Sequence, residues 1–305
     1  MTRTWATGQQ HQITFEGQSA WITEVGATLR AYSDASGGMI DGLEVDEPIS
    51  GGRGQTLIPW PNRIRDGRYT FDGKAQQLPL TEVGKSNASH GLLRWVNWHL
   101  AERTDSSVTL AYDSHAQPGY PHAFDARITY ALSEAGLEVH LEAMNTGTSA
   151  CPFGMGSHPY FTAGTESVDD ASLRCAATKF LEADQQAIPV RIENVNDSND
   201  FRELRGLKGE VLNLCYLELE RDGKGRANID LVRNDGDGGV RVWMNEAFDY
   251  VMVYTGDDVP TVDRRRRGIA IEPMTCAPDA FNNGWGLVVL QPGDSISGRW
   301  GVARI

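Results

Sequence analysis

Apolar residues alternate with polar ones along much of the chain, and this alternation is its clearest structural pattern. A period of two places successive side chains on opposite faces of a β-strand, so that one face packs on a core and the other meets solvent. The positions that predict strands are Ile13/Phe15, Val108/Leu110/Tyr112, Phe124/Ala126/Ile128/Tyr130/Leu132, Leu137/Val139/Leu141, Ile229/Leu231, Val240/Val242/Met244, Val251/Val253 and Ile296/Gly298/Trp300/Val302. The pattern therefore predicts an all-β protein.

Glycine, proline and Asn/Asp clusters separate these strands, as expected for turns. The clearest clusters are Ser133–Gly136, Arg233–Gly239 and Gln291–Asp294. No long amphipathic helix, low-complexity linker or fixed-period repeat is evident. We therefore predict a single domain over residues 1–305, built as a large antiparallel β-sandwich with few short helices, because two sheets bury their apolar faces against each other. Residues 1–50 carry no recognisable chemistry and are expected to supply strands.

Composition and charge narrow the class of protein. Of the 305 residues, 40% are hydrophobic and 23% are charged, which is typical of a globular chain. The 28 basic and 41 acidic residues give a formal net charge of -13. An acidic surface repels phosphate backbones and anionic lipids, so neither nucleic acid nor membrane is expected as a partner.

The N-terminal sequence and the cysteines bear on the compartment. The residues MTRTWATGQQHQ contain no apolar signal core, and no run of about 18 apolar residues occurs, so we expect neither a signal peptide nor a transmembrane helix. The four cysteines are far apart and form no C-x-x-C motif, which favours reduced, partly buried thiols over disulfides or a zinc site. A cytoplasmic location is the resulting expectation.

One long segment departs from the alternation. Residues 51–90 contain proline, glycine, asparagine and charged residues, with little alternation beyond Tyr69/Phe71. Long irregular segments inside compact domains usually carry function, so a site is expected to include this segment.

Four short segments place arginine, histidine or glutamate beside proline or glycine, among bulky apolar residues. They are Trp60–Ile64, His90–Arg94, Ser157–Phe161 and Ile271–Thr275. Proline and glycine fix the backbone, and aromatic rings offer a flat surface for the C–H face of a sugar. Each segment also has an ordinary explanation, such as a structural histidine, a glutamate at a strand end or a surface ion pair. The residues alone therefore indicate a candidate pocket.

Taken together, the segments resemble the aldose 1-epimerase (galactose mutarotase) family. LIPWPNRIRDGRYTFDG (57–73), HGLLR (90–94), SHPYF (157–161) and IEPMTCAPDAFN (271–282) occur in that family's order. The weaker matches DFR (200–202) and VMVYTGD (251–257) fall between them. The resemblance extends from Leu57 to the C-terminus and depends on the ordered set. It implies the large β-sandwich, or supersandwich, of galactose mutarotase-like proteins.

The resemblance also implies roles for four residues. Glu272 corresponds to the general base and His158 to the general acid. His90 and Arg63 correspond to residues that hydrogen-bond the sugar and polarise it near the ring oxygen.

Asn62, Tyr160 and Asn213 are further predicted substrate contacts. Asn62 and Tyr160 stand within the matching motifs. The family usually has an aspartate for the sugar hydroxyls, and the corresponding stretch here, LNLCY (212–216), has Asn213 in its place. An amide accepts and donates hydrogen bonds but carries no charge, so this departure leaves the chemistry intact and the preferred sugar, galactose or glucose, open.

The implied reaction interconverts the α and β anomers of a free sugar. Ring opening removes a proton from the anomeric hydroxyl and delivers one to the ring oxygen, and reclosure on the other face completes the exchange. A positioned base and acid each contribute about 10²–10⁴-fold, without a metal or redox cofactor. Glu272 is expected to be ionised near neutral pH, and His158 has to hold a proton, which Glu272 favours and burial opposes.

Motifs for other chemistries do not occur. The chain has no G-x-S-x-G elbow, dinucleotide fingerprint, P-loop or H-E-x-x-H, so no bound cofactor or catalytic metal is expected. The stretch Asp235–Gly239 resembles a calcium loop only in part, and a hairpin turn is favoured. The basic run Arg264–Arg267 is expected in a solvated loop, with recognition of a phosphate or sulfonate as the second interpretation.

Other functions compete with the leading one, a mutarotase that works as a monomer or homodimer. An epimerase for a hexose charged at C6, by phosphate or sulfonate, requires a nearby basic residue, such as Arg94 or one of Arg264–Arg267. A non-catalytic carbohydrate-binding protein is a second alternative, because one fold hosts several functions. A glycoside hydrolase requires a second carboxylate beside Glu272, for which Asp249 and Asp279 are candidates.

Overall fold

The structure is a computed structural model that describes residues 5–305. Residues 1–4, which begin the predicted domain, lie outside the described residues. Strands account for 51% of the structure and helices for 4%, so the predicted all-β class is confirmed. The helices are one short α-helix, α1 (Ala280–Asn283), and single 3-10 turns at Val83–Lys85, Val168–Asp170 and Val262–Arg264. No helix in the described part of the chain combines the length and apolar character that crossing a membrane requires.

The larger of the two main sheets has nine antiparallel strands. Its strands show the predicted alternation: Phe124, Ala126, Ile128, Tyr130 and Leu132 are all buried, and the residues between them are not. The strands, in spatial order, are β10 (His99–Arg103), β11 (Ser107–Ser114), β12 (Phe124–Ser133), β13 (Gly136–Asn145), β27 (Ser295–Arg304), β23 (Gly239–Met244), β22 (Ala227–Arg233), β17 (Ala171–Cys175) and β20 (Phe201–Gly206).

The second main sheet has eight strands, of which three are only two residues long. One strand, β16 (Tyr160–Phe161), pairs with β25 beside the main path. The others, in spatial order, are β19 (Pro189–Asn194), β18 (Ala177–Ala183), β21 (Asn213–Leu219), β24 (Tyr250–Tyr254), β25 (Ile269–Met274), β15 (Gly156–Ser157) and β5 (Thr56–Leu57).

The two main sheets face each other across an apolar core. Trp300 of β27 packs edge-on against Phe161 of β16, with ring centroids 6.2 Å apart. The Trp300 indole also donates a hydrogen bond to Ser157 Oγ of β15, at 3.0 Å. Buried residues of both sheets belong to one continuous apolar cluster. This arrangement is the predicted β-sandwich.

Shorter strands complete the fold. The N-terminal region forms its own four-stranded sheet, and three two-stranded sheets flank the sandwich. Five short strands lie within residues 51–90, which the sequence pattern left irregular, because strands of two to four residues are too short to show alternation. The remaining strands are β1 (Gln10–Phe15), β2 (Gln18–Thr23), β3 (Leu29–Asp34), β4 (Gly37–Gly38), β6 (Arg63–Arg65), β7 (Arg68–Phe71), β8 (Lys74–Gln77), β9 (Asn87–Ser89), β14 (Cys151–Phe153) and β26 (Val288–Leu290).

The predicted turns and thiols are also found. Ser133 and Gly136 close the hairpin between β12 and β13, and the stretch Asp235–Gly239 lies in the hairpin between β22 and β23. All four cysteines are free, as predicted, and they are fully buried where partial burial was expected. Among residues 5–305, no group of three or more His, Cys, Asp or Glu side chains is arranged to hold a metal ion.

Candidate active site

A cavity of about 390 Å³ opens beside the eight-stranded sheet. It is lined by residues of the irregular segment 51–90, by Arg94 and Trp95 just after it, and by residues of strands β16, β21, β24 and β25. The residues predicted from the sequence all line this cavity: Asn62, Arg63, His90, His158, Tyr160, Asn213 and Glu272. The structure therefore brings together groups that are up to 210 positions apart in sequence (272 − 62).

The imidazole of His158 and the carboxyl of Glu272 lie side by side in this cavity. His158 Nε2 is 3.3 Å from Glu272 Oε1, and the two residues are 6% and 2% exposed. Glu272 comes from β25, which is buried at all six positions. Strand pairing explains the approach of His158: Gly156 pairs with Met274 and Tyr160 pairs with Ala270, so the residues between them pass beside Glu272.

Burial determines how this pair is protonated. Burial raises the pKa of Glu272 to about 8, against the opposing charge of Arg63. Burial also lowers the pKa of His158 to about 3. Burial thus opposes the ionised Glu272 expected from the sequence, because a carboxylate in a dry environment loses its hydration. Both shifts favour the uncharged form of the group concerned, in which the proton of the pair resides on the carboxyl group.

The chain packed around His158 fixes the plane of its ring. The Tyr160 ring stacks on the imidazole, with centroids 5.2 Å apart and planes 17° from parallel. Gly52 packs directly against the ring, and a Cβ there would lie 2.8 Å from His158 Cδ2. Gly52 also has a φ of +75°, so only glycine fits at this position. The ring consequently has one orientation, with Nε2 towards Glu272.

Two hydrogen bonds join the turns that carry Asn62 and His90. The His90 amide donates to the Asn62 carbonyl at 2.7 Å, and the Asn62 amide donates to His90 Nδ1 at 3.2 Å. Since Nδ1 accepts a hydrogen bond, the neutral ring carries its proton on Nε2. Burial, followed by the charge of Arg94, lowers the pKa of His90 well below its usual value. His90 is thus a neutral hydrogen-bond donor at the cavity wall.

Arg63 is held by Glu82, a residue that the sequence analysis missed. Arg63 Nε and Nη2 donate to the two carboxylate oxygens of Glu82, at 2.6 Å and 3.0 Å, and Nη1 donates to Asn62 Oδ1 at 3.3 Å. Burial, the largest single cause, raises the pKa of Glu82, but the hydrogen bond and charge of Arg63, together with Lys85 and Asn87, lower that pKa overall. The bidentate pair gives the guanidinium a fixed direction. No local sequence feature distinguishes Glu82 from other acidic residues of the segment.

The opposite wall of the cavity contains further polar groups. Asn213 is exposed and lies across from Tyr254 in the pairing of β21 with β24. The Tyr254 hydroxyl donates a short hydrogen bond to the carboxylate of Asp258, which also lines the cavity. Asp258 was not predicted either. This wall offers an amide, a phenol and a carboxylate to a polar ligand.

The basic run Arg264–Arg267 lies outside the candidate cavity. Arg264 pairs with Asp41 and Glu47, and Arg266 pairs with Asp169 and Asp257, so the expectation of a fully solvated loop is wrong for these two arginines. Arg264 and Arg267 line a separate groove of about 880 Å³, which contains none of the predicted site residues. Arg94 and Arg264–Arg267 were the arginines considered for recognition of a charged C6 group. The structure describes all of them, and of this set only Arg94 lines the candidate cavity.

The carboxylates considered for a glycoside hydrolase lie elsewhere. Asp249 is exposed and pairs with Arg221. Asp279 precedes α1 and accepts a hydrogen bond from the Arg65 amide at 3.0 Å. Neither residue lines the cavity that contains Glu272. The structure therefore gives no support to either proposed partner carboxylate.

The sequence is similar to those of aldose 1-epimerases and of an uncharacterized bacterial protein. The sequence profile described as aldose 1-epimerase matches residues 9–302. An uncharacterized protein of Escherichia coli K12, YihR, is 30% identical over 295 residues, which cover 96% of this chain and 92% of that protein. The aldose 1-epimerase of Escherichia coli K12 is 27% identical over 211 residues, which cover 66% of this chain and 60% of that enzyme.

Solved structures share the fold. A GalM/aldose epimerase homologue from C. elegans superposes with a TM-score of 0.85 at 20% identity, covering 97% of this chain and 98% of that one. A galactose mutarotase-like protein from Clostridium acetobutylicum also has a TM-score of 0.85, at 18% identity, with 97% and 98% coverage. These likenesses concern the fold, and they confirm the large β-sandwich that the motifs implied.

Proposed function

Because the chain belongs to the aldose 1-epimerase family, we propose that it interconverts the α and β anomers of a free hexose by general acid/base ring opening and reclosure. The contact between His158 Nε2 and Glu272 Oε1, 3.3 Å apart within a sugar-sized cavity, is the observation that supports this proposal most. In this proposal Glu272 removes the anomeric proton and His158 protonates the ring oxygen.

The proton content of the pair suits a reversible anomer exchange. Ring opening consumes one base and one acid, and reclosure restores both. In this proposal Glu272 and His158 hold one proton between them, and its transfer to His158 makes a carboxylate and an imidazolium without changing the net charge of the buried site. Burial therefore opposes this transfer less than it opposes ionisation of either group alone. An anomeric hydroxyl that donates to Glu272 further stabilises the carboxylate.

The surrounding groups have supporting roles in the proposal. Arg63 carries a permanent charge that favours the ionised form of Glu272. The Nε2–H of His90 is a neutral donor for a sugar oxygen, and Asn62 and Asn213 offer amides for hydroxyl groups. Each of these contacts orients the ring so that its reacting oxygens reach the acid and the base.

Exchange spectroscopy at C1 tests the proposal with glucose and galactose. The wild type is expected to accelerate anomer exchange, and Glu272→Gln is expected to lose about 10²–10⁴-fold of that rate, because the amide cannot accept the proton. Glu142→Gln on β13 is a matched control on the other sheet and should keep the full rate. A folded Glu272→Gln with wild-type rate would show that the base is misassigned.

The same experiment separates the rival functions. Sugar binding without any accelerated exchange by the wild type would favour a carbohydrate-binding protein. Release of a reducing sugar from a glycoside would favour a hydrolase. Both outcomes would contradict the proposed epimerase activity.

A second candidate is an epimerase for a hexose with an anionic group at C6. Arg94 lines the cavity and is half-buried. Its Nη2 donates to the Ser89 carbonyl at 3.0 Å, whereas its buried Nε has no hydrogen-bond partner among the described residues. Burial lowers the pKa of Arg94 to about 10, yet the side chain stays cationic at neutral pH. A half-buried, incompletely paired guanidinium suits a phosphate or sulfonate.

Comparison of glucose with glucose 6-phosphate tests this second candidate. It predicts a higher kcat/KM for the phosphorylated sugar and a drop of about 10²-fold in Arg94→Gln for that sugar alone. Equal losses for both sugars would mean that Arg94 does not select a charged group.

A further inference from the structure

We propose that Arg53 is a positioning residue that holds His158 in its working orientation through the ring of Tyr160. Arg53 does not line the cavity, and the sequence did not predict it as a site residue. The inference rests on the proposed function, because it assigns a role in proton exchange to a residue that does not contact the sugar.

The Arg53 side chain is buried and anchored. It is 2% exposed, and its Nε donates to Asp41 Oδ2 at 3.1 Å. Asp41 is buried as well, and its carboxylate accepts a second hydrogen bond, from Arg264 Nη1 at 2.8 Å. Burial of a guanidinium is costly even when it is paired, and an apolar side chain of similar volume often serves stability equally well. A buried arginine at this position therefore indicates a role beyond packing.

The guanidinium lies over the ring that in turn stacks on the proposed acid. Arg53 Cζ lies 4.7 Å from the centroid of the Tyr160 ring, within range of a cation–π contact. The Tyr160 and His158 rings are 17° from parallel. The Tyr160 hydroxyl donates to the Gly51 carbonyl at 3.0 Å, which prevents rotation of the ring out of the stack. Arg53, Tyr160 and His158 thus form a series of planar groups that ends at Glu272.

The backbone around Arg53 reinforces the same arrangement. The Gly54 amide donates to the His158 carbonyl at 2.9 Å, and the His158 amide donates to the Gln55 carbonyl at 3.0 Å. Gly52, the residue before Arg53, packs against the imidazole itself. The Asp41 amide also donates to the Tyr160 carbonyl, at 2.9 Å. One loop therefore places Arg53 on Tyr160 and Gly52 on His158.

The charge of Arg53 also acts on the imidazole. Burial is the main cause of the lowered pKa of His158, and the charges of Arg94, Arg53 and Arg63 add to it. Other titratable groups that face the imidazole are Glu272 from β25, His90 from the end of β9 and Tyr160 from β16. Removing the cation of Arg53 is expected to make His158 easier to protonate, since a positive charge disfavours the imidazolium.

Two substitutions separate orientation from charge, and a third is the control. Arg53→Met removes the cation and the planar stack, whereas Arg53→Lys keeps the cation and loses the planar group. Arg267→Met removes an exposed arginine whose Nε is 3.8 Å from the same Asp41 carboxylate and which lines the separate groove. Thermal unfolding, kcat and KM for anomer exchange, and NMR titration of the His158 ring are measured for each variant.

For Arg53→Met we expect kcat to fall about 10-fold with little change in KM, and the His158 titration to move to higher pH by about half a unit. Arg53→Lys should lose a similar part of kcat and the ring-current shift of Tyr160 on His158, with an unchanged titration. Arg267→Met should match the wild type. The inference is overturned if folded Arg53→Lys keeps both kcat and the ring-current shift, or if Arg267→Met reproduces the effects.

The NMR readouts keep this test separate from the proposed function. If the wild type exchanges no aldose, the proposed function fails, while the ring-current shift and the titration still report whether Arg53 orients His158. If Arg53→Met does not fold, the Arg53→Lys result decides, because it retains the buried charge and the pairing with Asp41.

Discussion

The two main sheets of the sandwich differ in regularity, and the candidate site lies on the irregular one. The nine-stranded sheet has strands of up to ten residues with alternating burial, and it carries none of the candidate site residues. In the eight-stranded sheet, β5, β15 and β16 are two residues long, and β25 is buried over its full length. Short strands leave turns inside the fold, and those turns place polar groups where a regular strand would place apolar ones.

Because of this difference, we expect the regular sheet to contribute most of the stability and the irregular sheet to carry the candidate catalytic groups. A buried carboxyl and a buried imidazole contribute little to stability, because each loses its hydration. The regular sheet, with its continuous apolar face, supplies the burial that offsets this cost. Substitutions in the two sheets should therefore have opposite profiles, with loss of activity in one and loss of stability in the other.

After Glu272→Gln, His158→Asn should have the largest effect on activity. Asparagine keeps hydrogen-bonding capacity but cannot donate a proton to the ring oxygen, so we expect the exchange rate to fall by about 10²–10³-fold. The thermal unfolding midpoint should stay close to that of the wild type, because the imidazole is an unfavourable group to bury. A large drop in the midpoint would show that His158 stabilises the fold and would weaken the contrast between the sheets.

Leu141→Ala tests the regular sheet. Leu141 lies on β13 and is fully buried, so truncation should lower the free energy of unfolding by about 2–5 kcal/mol. The exchange rate per folded molecule should not change. Urea unfolding measures the first quantity and exchange spectroscopy the second. An equal loss of activity per folded molecule would mean that the regular sheet also shapes the site.

The pH dependence of exchange should reflect the shared proton. The pKa of Glu272 is raised to about 8, so above that pH the pair loses its last proton and His158 has none to give. We expect kcat/KM to fall about 10-fold per pH unit at higher pH, and to stay level between pH 5 and 7. The residual rate of Glu272→Gln should lack this limb. A rate that rises above pH 8 would contradict the assigned proton.

Glu82→Gln should have the smallest effect. Loss of the carboxylate leaves Arg63 charged but without its bidentate partner, so the guanidinium orients less well and KM should rise about 3- to 10-fold. Glu102→Gln is the control, since its ion pair with Arg127 on the nine-stranded sheet is 3.8 Å long and exposed. Equal effects of the two substitutions on KM would show that Glu82 has no specific role in orienting Arg63.

The regular part of the fold could be predicted from the sequence because its pattern is local. Alternation from Phe124 to Leu132 predicted β12, and the adjoining turn predicted the hairpin with β13. Strands of two residues are too short to show an alternating pattern. They can be identified only from pairings in the folded structure, such as Gly156 with Leu57, which are 99 positions apart (156 − 57).

The candidate residues in recognisable motifs were predicted, whereas their supporting residues were not. Glu272 and His158 were identified through a resemblance of ordered motifs, and the structure places them in contact. Glu82 and Arg53 were missed because they are linked to the site only by contacts with side chains distant in sequence, which no spacing rule indicates. The protonation of Glu272 depends on burial, and the apolar run before it was equally consistent with a strand end in solvent.

The central claim is that Glu272 and His158 act as one proton-sharing unit on the same sugar. The anomer exchange rate of Glu272→Gln/His158→Asn, compared with both single variants by exchange spectroscopy at C1, tests it most directly. A shared unit predicts that the double variant is no slower than the slower single variant, because either substitution already disables the unit. A double variant slowed by the product of the two single losses would contradict it.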